Sequence, residues 1–447
     1  MRRIMLAGVS SGCGKTTLTC GLLQALINRG LQAASFKCGP DYIDPMFHRT
    51  VLGTPSFNLD SFFCKEETLK YILNENAGSS DICVLEGVMG YYDGLGFSNR
   101  HSSWEMARLT QTPVVLVVDC KGMGASIGAV LSGFVRYRAD SGIAGVVFNR
   151  LPASLYQGAK AAAEELGVRL LGYVPSLKEW KLESRHLGLV TADELPHLRE
   201  QLARLAEELV KTVDLDGLLE LAAQAPELES APFVHPECPK PVKIAVACDE
   251  AFCFLYPDNL SFLKRCGAEL AFFSPIRDKA LPDGVSGLLL CGGYPELYAE
   301  TLSENMPMRA SIRNALGAGL PCIAECGGFM YLHEALEDVR GEVFPMAGYL
   351  PGKCFKTARL QRFGYAEMTA RESGLLCEKG DTLRAHEFHY WDSAYNGTAF
   401  TARKENCPGW ECGVQTGSFY GGFPHLYFYG CPQAAGRFLE RCEAYGA

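Results

Sequence analysis

The stretch Gly8-Val9-Ser10-Ser11-Gly12-Cys13-Gly14-Lys15-Thr16-Thr17 sets glycines, a lysine and hydroxyls in the order that phosphate chemistry needs. Glycines let backbone N–H groups turn inward around phosphate oxygens, and a following helix adds its positive N-terminal end. Lys15 supplies mobile charge and the Thr16 hydroxyl can hold Mg2+. Ser11, Gly12, Cys13, Gly14, Lys15, Thr16 and Thr17 are therefore the candidate ATP-binding residues. Five residues separate Gly8 from Gly14 where the usual motif has four, so the loop is a variant. A plain Gly/Ser turn before a helix would leave Gly-Lys-Thr-Thr unexplained.

A Mg·ATP site also needs acids at strand ends, because the metal bridging the phosphates takes hard oxygen ligands. Glu86, closing the apolar run 81–85, is the candidate metal ligand beside Thr16; a helix cap or solvated turn acid is the plainer reading. Residues 36–45, Phe-Lys-Cys-Gly-Pro-Asp-Tyr-Ile-Asp-Pro, place a lysine and two acids in one Gly/Pro-shaped loop. Lys37 could neutralise charge on a transferring phosphoryl group, and Asp41 and Asp44 could hold metal or orient substrate; turn-forming aspartates are the alternative.

The second half carries different chemistry. Pro321-Cys322-Ile323-Ala324-Glu325-Cys326-Gly327-Gly328 reads as a strand running into a tight glycine turn that lifts Cys326 out at the start of a helix. This resembles a nucleophile elbow with Glu325 in place of the usual first glycine. A helix N-terminus favours thiolate, so Cys326 is the candidate nucleophile against the alternative of a buried structural thiol. Its base is sought among nine histidines: His425, late in the glycine-rich segment 421–426, with His386 and His389 of His-Glu-Phe-His-Tyr competing. Backbone N–H groups at Gly292 and Gly293, at another strand end, could form an oxyanion hole.

These residues need rigid strands behind them. Apolar runs at 4–7, 81–85, 113–118, 145–148 and 170–173 alternate with helical patterns, beginning with 18–26, as a doubly wound parallel sheet requires. A helix-rich stretch at 194–224 follows. The Pro-rich segment 225–241 breaks both helix and strand and reads as a linker. A second alternation runs through 242–247, 268–273, 287–291 and 321–325, and the aromatic-rich part beyond about 348 suggests antiparallel additions. The expected architecture is α/β throughout, with domains at 1–224 and 242–447.

Composition excludes several classes. The 447 residues, 48% hydrophobic and 21% charged, suffice for two or three globular domains. A formal charge of −9 gives no electrostatic reason to bind nucleic acid or anionic membrane. Arg2-Arg3 runs straight into a strand pattern rather than a signal peptide, and no 18-residue apolar run occurs, so a cytoplasmic protein is expected. The 19 cysteines include no Cys-x-x-Cys pair, which argues against a structural metal.

Together the motifs resemble the cobyrinic acid a,c-diamide synthase family, glutamine-dependent, ATP-using amidotransferases of corrinoid biosynthesis. The resemblance spans nearly the whole chain: residues 8–17, 36–45, 86–94 and 185–189 in the first half, and 245–252, 292–296, 324–332 and 386–390 in the second. It implies a first domain similar to dethiobiotin synthetase, with a parallel P-loop sheet, and a second similar to class I glutamine amidotransferases. It carries the glutaminase nucleophile onto Cys326 and its histidine onto His425, and places Asn149 where adenine is read. Asp41, Tyr42, Asp44, Arg185 and His186 become substrate-contact candidates. Many class I glutaminases have Glu two residues after the histidine; here Tyr427 stands there, so a Cys/His dyad, oriented by some other group, is expected. The implied cofactors are ATP and Mg2+, the implied partners cobyrinic acid and L-glutamine, and a homodimer is allowed.

Close relatives act on hydrogenobyrinic acid or nickel-sirohydrochlorin, which would need only a different pocket. Cobyric acid synthase fits less well, because residues 386–390 resemble the a,c-enzyme pattern. A ParA-like or MinD-like ATPase switch places a signature lysine five residues before the loop lysine; here that residue is Ser10, and such a switch has no use for a Cys326 elbow.

Overall fold

The strand Arg3–Gly8 (β1) is buried along its whole length, as a strand covered on both faces must be. In the computed structural model, which describes residues 1–176, 195–405 and 407–446, it lies near the middle of a seven-stranded sheet. The other strands are Ala33–Cys38 (β2), Ser56–Leu59 (β3), Ile82–Glu86 (β4), Val114–Asp119 (β5), Ile143–Asn149 (β6) and Arg169–Val174 (β7). Their order is β3-β2-β4-β1-β5-β6-β7, every neighbour parallel. The P-loop sheet expected from the alternation is thus present.

Two strands, β2 and β3, go beyond the sequence reading. Ala33–Cys38 is a short run of mostly small side chains, yet hydrogen bonding to β4 on one side and β3 on the other makes it a fully buried strand. Lys37 therefore stands in a strand, not in the loop expected at 36–45. Its Cα partner on β4 is Glu86.

Gly14, at φ 96°, ends the loop after β1 in a left-handed conformation and releases the chain into the helix Lys15–Asn28 (α1). Leu18, Leu22, Leu23 and Leu26 of α1 join β-sheet aliphatics in one core, each contributing about 1.5–3 kcal/mol by burial. Gly21 lets the helix Leu195–Thr212 approach: a Cβ there would lie 3.0 Å from Leu205 Cγ.

The chain divides into the units Met1–Phe233 and Val234–Ala447, and residues 225–240 form no helix or strand. The second unit is built on Val242–Ala247 (β8), Ala268–Phe273 (β9), Gly287–Leu290 (β10) and Cys322–Glu325 (β11), parallel in the order β11-β10-β8-β9. Phe419–Gly422 extends this sheet parallel to β11, and Val414–Gln415 closes its edge antiparallel. A four-stranded and a five-stranded sheet follow, largely antiparallel. The last strand of the five-stranded sheet, His425–Leu426, pairs with Thr382–His389.

All 19 cysteines are free of disulfides. The six in the first unit are buried, while Cys248 and Cys407 of the second are exposed. Burial pushes the thiols of Cys83 and Cys120 up to about 12. Among the described residues no helix is long and apolar enough to cross a membrane.

Candidate active site

At the C-terminal ends of the first unit's strands, the loop after β1 is held from two sides. Asn149, at the end of β6, donates from Nδ2 to the Cys13 carbonyl at 2.8 Å, so close that a Cβ on Gly14 would meet that nitrogen at 2.2 Å. Lys15 Nζ donates to the Ser10 carbonyl at 3.0 Å and to the Met89 carbonyl, and burial lowers its proton affinity. Asn149 thus braces the phosphate loop, a contact that the expectation of adenine reading did not include. Arg150, at φ 60°, grips the Asp119 carboxylate with Nε at 2.7 Å and with Nη2, which also reaches the Gly12 carbonyl at 3.4 Å. Sequence reasoning did not single out this pair.

Parallel register puts Lys37 of β2 beside Glu86 of β4, and the side chains close a buried cluster. Lys37 Nζ lies 2.8 Å from Glu86 Oε1 and 2.7 Å from Asp44 Oδ2, with Asp41 Oδ2 at 4.0 Å. Thr16 Oγ1 donates to Glu86 Oε1 at 2.6 Å and stands 3.4 Å from Asp44 Oδ2. Burial works against the Lys37 charge, but Glu86 and Asp44 overcome it and raise its proton affinity; burial also raises that of Glu86, against the pull of Lys37. Tyr42 is buried at the start of the helix Ile43–Phe47, whose first N–H is accepted by Asp41 Oδ1 at 2.8 Å. His48, which sequence reasoning passed over, lies behind the cluster, Nδ1 3.0 Å from Ser35 Oγ and Nε2 4.0 Å from Glu86 Oε2. Arg185 and His186 lie outside the described residues.

Divalent-cation chemistry fits this donor set. A hydroxyl and carboxylate oxygens converge, acids outnumber the lysine that neutralises them, and Glu86 Oε2 is buried with no hydrogen-bond partner among the described residues.

In the second unit, β11 ends at Glu325 and the chain turns sharply at Cys326, at φ 47° and ψ −104°, before the short helix Gly327–Tyr331. A non-glycine residue in this region costs of order 1–3 kcal/mol and persists only where surroundings enforce it. Here they do: the Cys326 N–H donates to the Gly422 carbonyl at 2.7 Å, and a Cβ on Gly328 would lie 2.2 Å from the Leu290 carbonyl oxygen. The elbow also abuts the turn after β10, since a Cβ on Gly327 would come within 2.9 Å of the Gly293 nitrogen.

His425 reaches the same place from the five-stranded sheet. A Cβ on Gly292 would meet its Cε1 at 2.5 Å, so Gly292, Gly293, Cys326 and His425 form one cluster. Burial disfavours charge on His425, yet hydrogen bonds and charge interactions with Cys326 and Glu325 raise its pKa to about 10. Glu325 Oε2 lies 3.6 Å from His425 Nδ1, and its Oε1 accepts the Leu426 N–H at 3.0 Å. Glu325, the residue before Cys326, thus stands where a group orienting the His425 imidazole would be needed. Tyr427 stands edge-on to Tyr256, with ring centroids 5.1 Å apart. His389 stacks on Phe423 at 3.9 Å and places the segment leading to His425, while His386 is the Cα partner of His425, its pKa lowered to about 3 by burial and by the His425 charge.

Each half of the chain matches a known domain family. Residues 4–190 match the family described as CobQ/CobB/MinD/ParA nucleotide binding domain, and residues 243–431 the CobB/CobQ-like glutamine amidotransferase domain. A cobyrinate a,c-diamide synthase of Caldanaerobacter subterraneus subsp. tengcongensis is 39% identical over 100% of this chain and 99% of its own length. The enzyme of that name from Salmonella typhimurium is 41% identical over 96% of this chain and 95% of its own, and that of Priestia megaterium 36% identical over 99% and 97%.

Proposed function

The chain belongs to the cobyrinate a,c-diamide synthase family, and from that premise we propose how its two sites divide one reaction. The enzyme amidates the a and c side-chain carboxylates of cobyrinic acid with ATP and glutamine, in cobalamin biosynthesis. The observation that carries the division of labour is one chain holding both a phosphate loop and a cysteine elbow with its own histidine.

In the second unit, Cys326 sulfur attacks the glutamine side-chain amide carbon and protonated His425 hands its proton to the departing ammonia, leaving a thioester. Water then hydrolyses the thioester to glutamate. Glu325 keeps the imidazole charged and turned toward the sulfur, and N–H groups at Gly292 and Gly293 would receive the oxyanion. The first step thus starts from a proton on His425, and the second restores it, because the neutral imidazole left behind takes a proton from the attacking water.

In the first unit, a substrate carboxylate oxygen attacks the γ-phosphorus of ATP, ADP leaves, and an acyl phosphate results. Ammonia displaces phosphate from that carbonyl to give the amide. Residues 11–17 would cradle the phosphates, Lys37 would neutralise charge on the transferring group, and Asn149 would read the adenine. Mg2+ would be held by Thr16 and Glu86, where it would screen the phosphate charges. Asp41, Tyr42 and Asp44 would contact the macrocycle. We assign the enzyme to the cytoplasm, which supplies both ATP and glutamine.

The test is mass spectrometry of products from the purified protein with Mg·ATP and glutamine, given cobyrinic acid, hydrogenobyrinic acid or nickel-sirohydrochlorin in parallel. Two amides on cobyrinic acid, with little turnover of the others, is the expected result; failure on all three would discard the corrinoid reading. Cys326→Ser should abolish glutamine-dependent synthesis and spare synthesis from ammonium, and equal loss of both would contradict the division.

A further inference from the structure

Gly-Gly-Tyr-Pro-Glu, which follows β10, contributes more than its glycines. Its last residue, Glu296, sits in the turn Pro295–Leu297 with 8% of its surface exposed. Its Oε2 is buried and has no hydrogen-bond partner among the described residues. Burial pushes its pKa up to about 7, opposed by its own backbone N–H, and among the described residues no lysine, arginine or histidine is a partner to it. A buried carboxylate without a cation is costly, and such a group is typically kept where a ligand completes it.

The turn is fixed against the nucleophile. A Cβ on Gly327, the residue after Cys326, would lie 2.9 Å from both Pro295 Cδ and the Gly293 nitrogen. The group that satisfies a buried carboxylate best is a small cation bearing several N–H donors. A molecule whose amide lies at Cys326 brings one: glutamine carries an α-ammonium four bonds from its amide carbon. We infer that Glu296 is the residue that receives the glutamine α-ammonium and selects a free amino acid over other primary amides. The inference rests on glutamine hydrolysis at Cys326.

Charge-assisted hydrogen bonds to a buried group predict that Glu296→Gln raises KM for glutamine at least about tenfold, measured as glutamate release. Alkylation of Cys326 by 6-diazo-5-oxo-L-norleucine, in which a carbon–sulfur bond forms and N2 leaves, should slow by a similar factor. Labelling by iodoacetamide, which has no α-ammonium, should change by less than about twofold if the elbow is intact. As a measurement independent of that variant's folding, Cys326→Ser should bind glutamine at least about tenfold more tightly than glutaramate, its analogue without the amino group. Equal affinity for the two, an unchanged KM in Glu296→Gln, or equal slowing of both labels would overturn the inference while leaving glutaminase chemistry at Cys326 intact. Glutamine hydrolysis persisting in Cys326→Ser would remove the premise and the inference with it.

Discussion

Replacing Glu325 by glutamine isolates the charge that holds a proton on His425. The substitution keeps an acceptor for the Leu426 N–H, which Glu325 Oε1 takes at 3.0 Å, and removes the negative charge 3.6 Å from Nδ1. Two unit charges at that separation interact by about 4–5 kcal/mol at an effective dielectric near 20, and sharing with the Leu426 amide lowers this. Roughly 1.5–4 kcal/mol remains, equivalent to about one to three pKa units. His425, raised to about 10 in the native protein, would therefore titrate well below that in Glu325→Gln.

Because the native imidazole pKa is raised, its contribution to stability is fully present below the ordinary value of 6.5 and is lost as pH rises through about 10. Glutamate release should follow the same titration, since only protonated His425 can give a proton to the leaving ammonia. A pH profile of kcat/KM should show the alkaline limb near 10 for the native enzyme and one to three units lower for the variant. A limb at the same pH in both would refute the assignment of Glu325 as the group that holds the proton.

Lys37→Met would strand Asp44 and Glu86, which are 2% and 1% exposed, without their shared cation, and should destabilise the first unit by about 3–5 kcal/mol in denaturant unfolding. Gly14→Ala would push a methyl to within 2.2 Å of Asn149 Nδ2 at φ 96° and should weaken ATP binding at least tenfold by titration calorimetry, roughly 1.4 kcal/mol or more. Gly328→Ala would drive a methyl to within 2.2 Å of the Leu290 carbonyl oxygen, where the neighbour is backbone and cannot swing away. A loss of at least about 1–3 kcal/mol should appear as a lower melting temperature.

The phosphate loop and the cysteine elbow were legible because each demands glycines at fixed offsets, and the buried strands feeding them are continuous apolar runs. Lys37 was visible as a charge but misplaced in a loop, since Ala-Ala-Ser-Phe-Lys-Cys becomes a strand only through its pairing with β3 and β4. Glu325 was set against the elbow's first glycine, a place that Ala324 holds; it occupies the variable position directly before Cys326, where a carboxylate is the signal that went unused. Its partner is 100 positions away, and only the parallel pairing of β11 with Phe419–Gly422 brings the two together. The grip of Arg150 on Asp119 has the same origin, because both close neighbouring strands far apart in sequence.

The distribution of thiols has a use unrelated to catalysis. The first unit has six cysteines, all buried; the second has thirteen, of which nine are buried, Cys238 and Cys253 are half-buried, and Cys248 and Cys407 are exposed. A brief pulse of alkylating reagent applied during unfolding, read peptide by peptide, would therefore date the opening of each half separately, since thiols forced near 12 by burial become ordinary and reactive once wet. With its native cysteines alone and none engineered in, the chain can register the order in which its two halves come apart.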